Sequence, residues 1–142
     1  MSDARVAIEF PHHSDHFRPG EALVGQYRLE RARDELVIAA EVSVLWRTSG
    51  KGDEDLGVHY FQRFDAAGGD AIDAGEPARF ETMLPASPLS YDGVIVKIGW
   101  CARVRYFLAG GEQVTHDRHF YLGHVHAPPA TGSEVPAPTL VY

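Results

Sequence analysis

From Val96 to Leu108 the chain alternates without a break: Val96, Ile98, Trp100, Ala102, Val104, Tyr106 and Leu108 occupy one set of positions, while Lys97, Gly99, Arg103 and Arg105 fall in the other. Strand side chains point to opposite faces in turn, so this segment reads as a strand with one apolar face and one cationic face. The apolar face needs a second layer to cover it, and the charged face has to meet water. An antiparallel sheet packed against another sheet satisfies both.

The same reading gives strands at Arg5–Phe10, Ala22–Glu30, Leu36–Thr48, Gly57–Asp65, Ala78–Leu84, Ile95–Leu108 and Gln113–Leu122, and no amphipathic helix. In the third of these, Ile38, Ala40, Val42, Val44 and Trp46 share a face opposite Glu41, Ser43 and Arg47, the pattern of a central strand. Turn-forming residues separate the strands, at Pro19-Gly20, Ser49-Gly50-Lys51-Gly52-Asp53, Ala67-Gly68-Gly69-Asp70 and Ser90-Tyr91-Asp92-Gly93. Gly110-Gly111 predicts a tight hairpin with positive φ at both glycines, pairing the last two strands antiparallel.

At 142 residues the chain suits one core. Residues 1–122 read as a single sandwich domain, and residues 123–142, carrying four prolines, as a Pro-rich C-terminal tail. Within that tail, Thr139-Leu140-Val141-Tyr142 is apolar enough to dock on the domain or on a neighbouring protomer's sheet edge. The net charge of −7 gives no general attraction to nucleic acid or anionic lipid. No apolar run is long enough to cross a bilayer and the first residues lack the order of a signal peptide, so the expected location is cytoplasmic. A lone cysteine, Cys101, agrees with a reducing compartment.

Two segments resemble the arrestin-like family. One is Leu84-Pro85, a short spacer, then Pro88-Leu89-Ser90-Tyr91-Asp92-Gly93 leading into the long strand. The other is Phe17-Arg18-Pro19-Gly20-Glu21-Ala22-Leu23-Val24-Gly25, a Pro-Gly-Glu turn before a strand with an early glycine. The resemblance implies an all-β, immunoglobulin-like antiparallel β-sandwich of the arrestin N-domain type. Relatives typically carry two sandwiches in tandem and this chain has room for one, so clamping between domains is not open to it within one chain. By analogy with bacterial arrestin-like proteins, a part in stress or developmental regulation is implied.

The candidate sites follow from side-chain chemistry. Lys97, Arg103 and Arg105, with Arg47 on the matching face of another strand, form a cationic sheet surface able to pair with carboxylate or phosphate of a partner, or else with acids on neighbouring strands. His12, His13 and His16, with Asp15 between them, are imidazoles spaced for zinc, copper or nickel, or a polar loop. His116 and His119 point to opposite faces of a strand, leaving His124 and His126 as a pair. Cys101 lacks a base or helix terminus to activate it, and no serine lies in a nucleophile elbow. Asp53, Glu54, Asp55, Asp65, Asp70 and Asp73 lack calcium-loop spacing. No phosphate-cradling loop is present. The expectation is a non-enzymatic intracellular protein-binding or scaffold module without cofactor, using a sheet face or edge. Two alternatives stand beside it: a metal- or ligand-binding sandwich using the histidine cluster, and a structural homodimer with exchanged tails.

Overall fold

The computed structural model describes residues 4–11, 14–31, 36–52, 54–73 and 75–124. Among the described residues there are nine strands: β1 (Arg5–Glu9), β2 (His16–Phe17), β3 (Ala22–Glu30), β4 (Val37–Gly50), β5 (Leu56–Asp65), β6 (Ala78–Met83), β7 (Tyr91–Asp92), β8 (Val96–Leu108) and β9 (Gln113–Leu122). They form two sheets, one in the order β1-β3-β6 and a larger one in the order β2-β9-β8-β4-β5, with β7 also on β8. The architecture is the expected all-β sandwich. One pairing departs from antiparallel: His16 and Phe17 run parallel to Tyr121 and Leu122.

The alternation read from the sequence fills the space between the sheets. Trp100, Ala102, Val104, Tyr106 and Leu108 of β8 are buried there, facing Leu23, Tyr27 and Leu29 of β3 and Phe80 of β6. On β4, Ala40, Val42 and Val44 point inward as expected, but Ile38 is exposed and Val37 takes the inward place. The cause is a bulge: Val37 pairs with Leu108 and Ala39 with Phe107, so two residues of β4 answer one of β8 and the facing order flips.

The two segments carrying the family resemblance meet in space. Gly20 N–H donates to the Leu84 carbonyl and Leu84 N–H to the Glu21 carbonyl, both at 2.9 Å. Gly20 sits at φ 82°, which a side chain would resist. Further on, Ser90 and Leu122 exchange backbone hydrogen bonding for side-chain hydrogen bonding: Ser90 N–H donates to the Leu122 carbonyl, and Leu122 N–H to Ser90 Oγ, each at 2.8 Å. The Pro-x-Ser turn is thereby fixed to the end of β9.

The glycine early in β3 also has a reason. Gly25 lies directly opposite Phe80, and a β-carbon on it would sit 2.3 Å from the Phe80 ring. Phe80 is itself buried against Tyr27 and Tyr60 and has nowhere to retreat. Gly25→Ala is therefore expected to cost about 1.5 kcal/mol through overpacking, visible as a lowered urea midpoint with unchanged slope. A variant as stable as the parent would show that the ring moves freely.

Other turns refine the reading. At the β8–β9 hairpin only Gly111, at φ 93°, takes a positive value, so one glycine and not both carries the conformational demand. Asp65 caps a short 3-10 turn at Ala66–Gly68 by accepting from Ala67 N–H, and Asp70 accepts from Asp65 N–H at 2.7 Å. These carboxylates shape a turn. Arg118, which the sequence did not single out, closes the open side between β1 and β9. Its guanidinium lies 5.0 Å from the Phe10 ring centroid, donates to the Ile8 carbonyl at 3.0 Å and pairs with Asp15 at 2.8 Å. Gly123 N–H still reaches the Phe17 carbonyl at 3.0 Å, so the sandwich's bonding runs one residue past Leu122. Residues 125–142 of the expected tail, Thr139 to Tyr142 among them, lie outside the described residues.

Candidate binding surface

The face of the larger sheet turned away from the core is built from cross-strand rows fixed by register. One row runs Asp117, Arg103, Ser43, Phe61; the next towards the β8–β9 hairpin runs Thr115, Arg105, Glu41, Arg63; and the next in the other direction runs His119, Cys101, Leu45, Val58. Beyond these, Gly99, Arg47 and Leu56 align, then Lys97 with Ser49. All four cations expected to share a surface do share it.

Their electrostatic situations differ. Arg103 forms a two-point bond to Asp117, Nε to Oδ1 at 2.8 Å and Nη2 to Oδ2 at 3.0 Å, with both side chains mostly covered. Hydrogen bonding to Arg103 holds the Asp117 carboxyl below its ordinary 3.8, against a smaller opposing effect of burial. Arg105 approaches Glu41 at 3.9 Å, but Glu41 is already held by Arg63 at 2.6 Å. The Arg63 and Arg105 guanidiniums lie 5.1 and 6.0 Å from the Phe107 ring centroid. Lys97 is within 3.5 Å of Asp92, both widely exposed, an arrangement worth little. The Arg47 side chain makes no hydrogen bond or close ion pair with any described residue, though its charge acts on Asp117.

Beneath the long side chains the floor is small and apolar: Ala39, Leu45 and Cys101 are buried although they face outward, and Ser43 is nearly so. Arginine and phenylalanine stems in adjacent rows keep water from them. Burial pushes the Cys101 thiol up to about 11, so it is overwhelmingly protonated near neutrality and a poor nucleophile. Where Gly99 supplies no side chain the cover is broken. A groove of about 490 Å³ opens there, floored by Leu45, Gly99 and Cys101 and walled by both signs of charge, Arg47 and Lys97 with His119 and the carboxylates of Glu54, Asp92 and Asp117.

The other candidates are dispersed. His12 and His13 lie outside the described residues, and His16 is in β2 with its ring 5.7 Å from that of Tyr121. Asp15, the other possible ligand, is engaged by Arg118. Among the described residues no group of three or more His, Cys, Asp or Glu side chains is placed to hold a metal ion. His116 opposes Val104 and His119 opposes Cys101, so the two do face opposite ways. His59, which the sequence reading passed over, bridges the sheets, its Nε2 lying 3.1 Å from Thr82 Oγ1 and 2.8 Å from the Met83 carbonyl. The Gly99 groove was also missed. Its signal was a glycine among cations on the polar face of a strand.

No protein-family model matches the chain, and no curated protein does. Among solved structures, Spo0M, the sporulation control protein from Bacillus subtilis, is similar with a TM-score of 0.61 at 15% identity over 88% of this chain. The match takes in 51% of that protein, so this chain spans about half its length. The likeness extends the arrestin-like resemblance to the level of fold. A β-glucosidase from Listeria innocua aligns over 89% of this chain and 17% of its own at 13% identity, with a TM-score of 0.39 that carries no argument.

Proposed function

We propose that this arrestin-like sandwich is a non-enzymatic, cytoplasmic protein-binding or scaffold module that engages its partner through the outer face of the larger sheet. One observation carries the reading: the four cations share one face, and the two that are exposed, Arg47 and Lys97, stand at the groove. The inert Cys101 thiol and the binding of His59 to the opposite sheet fit a module without a catalytic cycle. Spo0M, a sporulation control protein, has a similar fold, which is compatible with a regulatory binding module. No helix among the described residues is long and apolar enough to cross a membrane.

Affinity capture from the native organism's lysate tests it, comparing the parent with Arg47→Glu/Lys97→Glu. Both positions are exposed, so the variant is expected to keep the parent's stability within about 0.5 kcal/mol. A reproducible partner held by the parent is expected to fall by about tenfold or more with the variant. Equal recovery would remove the outer face from the proposal.

A further inference from the structure

Two buried phenols inside the sandwich lack the partners that buried polar groups ordinarily have. Tyr27 of β3 and Tyr106 of β8 are 5% and 2% exposed, with ring centroids 6.2 Å apart. Neither hydroxyl makes a hydrogen bond with any described residue, and neither oxygen is sealed off by its neighbours. Buried hydroxyls are nearly always satisfied, so two together need an acceptor from outside the chain.

The space for one is present. Both tyrosines line a cavity of about 120 Å³ between the sheets. Its origin is in the sequence: Ala40 lies between Tyr106 and Phe64 in an inward row of the larger sheet, and Ala78 lies directly across from Tyr27 in the smaller. The next inward positions on these two strands carry Val42 and Phe80, so small residues on both sheets leave a gap at this level alone. Ile72, after β5, packs against the core beside the gap, and exposed Ala71 and Asp73 mark its mouth.

We infer that this cavity binds a small neutral carbonyl compound, an amide or ketone of about five non-hydrogen atoms, whose oxygen accepts a hydrogen bond from each phenol. The site lies off the outer face and does not depend on it.

Donor character is the first argument. Burial pushes the Tyr27 hydroxyl up to about 12 and raises that of Tyr106, where Tyr27 adds to the effect and Arg31 opposes it without reversing it. Both phenols therefore keep their protons near neutrality. A carbonyl oxygen has two lone pairs and no proton of its own, so it can satisfy two donors, whereas an ammonium has no lone pair to offer.

Charge and size complete the match. The lining carries one carboxylate, Asp73, and no cation, so an anion meets repulsion without a counter-charge. Ala40, Phe64, Ile72 and Ala78 offer apolar walls to a short hydrocarbon body. A cavity of about 150 Å³ holds benzene, so this one suits a slightly smaller molecule.

Titration of the isotope-labelled full chain with N-methylacetamide, followed by backbone amide NMR shifts, tests the inference against water as the competing occupant. Cyclopentane and propionate serve as apolar and anionic controls. The parent is compared with Tyr27→Phe/Tyr106→Phe, which removes the donors, and with Ala78→Leu, which fills the gap. Because the hydroxyls have no partner in the protein, the phenylalanine pair is expected to melt close to the parent. Saturable shifts centred on Tyr27, Ala40, Ala78 and Tyr106 are expected with N-methylacetamide, about tenfold weaker without the hydroxyls and absent in Ala78→Leu. If Ala78→Leu fails to fold, the phenylalanine pair decides alone. The inference is overturned by an absence of saturable shifts, which would leave water as the occupant, by equal binding of either control, or by undiminished binding to the phenylalanine pair. A melting temperature far below the parent's for that pair would overturn it too, by showing that the hydroxyls already have partners.

Discussion

Trp100→Ala is expected to destabilise the protein by about 4 kcal/mol, lowering the melting temperature by roughly 12–15 °C. Trp100 is 1% exposed, and the register places it in a row of Phe120, Trp100, Trp46 and Gly57 across the inner face of the larger sheet. Its ring centroid is 5.8 Å from that of Phe120 and 6.1 Å from that of His59. Truncation leaves a cavity between two sheets that strand pairing prevents from closing. The indole also donates its N–H to the Pro88 carbonyl at 2.8 Å, linking the core to the Pro-x-Ser turn. Trp100→Phe separates the two contributions. It keeps most of the ring volume and forfeits the hydrogen bond, so a smaller loss of about 1–2 kcal/mol is expected. Urea unfolding of both variants measures the difference; equal losses would mean that the volume of the indole is unimportant.

That turn shows what was legible in the sequence. Proline, serine and glycine next to a long alternating segment marked its place, but not that Trp100 would bond Pro88 or that Ser90 would grip Leu122, because contacts between distant segments leave no local period. Long strands such as β4 and β8 announced themselves through repetition. The two-residue strands β2 and β7 did not: His16-Phe17 and Tyr91-Asp92 are too short to alternate, and their partners on β9 and β8 define them. Ile38 failed for a related reason, since a bulge depends on both strands of a pair. Glycines behaved likewise. Gly57 makes way for the Trp46 indole, and a β-carbon there would lie 2.3 Å from that ring, a demand visible only once the strands are aligned. The cationic surface was readable from alternation along β8. Which of its charges remain available was not, because Asp117 and Glu41 belong to neighbouring strands whose register the sequence does not display.

Arg103→Glu tests that distinction between available and committed charge. It removes a two-point bond and sets a carboxylate directly across from Asp117. The side chains are 23% and 29% exposed, between a surface pair worth about 0.5 kcal/mol and a buried one whose disruption costs about 3–5, so a loss of about 2 kcal/mol is expected. The exchanged pair, Arg103→Glu/Asp117→Arg, should recover most of it, whereas Arg47→Glu should change stability little. Acid provides a second check. Because the guanidinium lowers the Asp117 pKa in the folded state, its stabilisation is complete above 3.8 and is lost as pH falls through the lower folded value. Protonation also relieves the repulsion in Arg103→Glu, so the gap in melting temperature between parent and variant should narrow below 3.8. A gap that is absent at neutral pH, or that widens in acid, would show that Asp117 does not hold Arg103 in solution. Arg103 would then rejoin Arg47 and Lys97 as charge available to a partner, and the binding surface would extend towards the middle of the sheet.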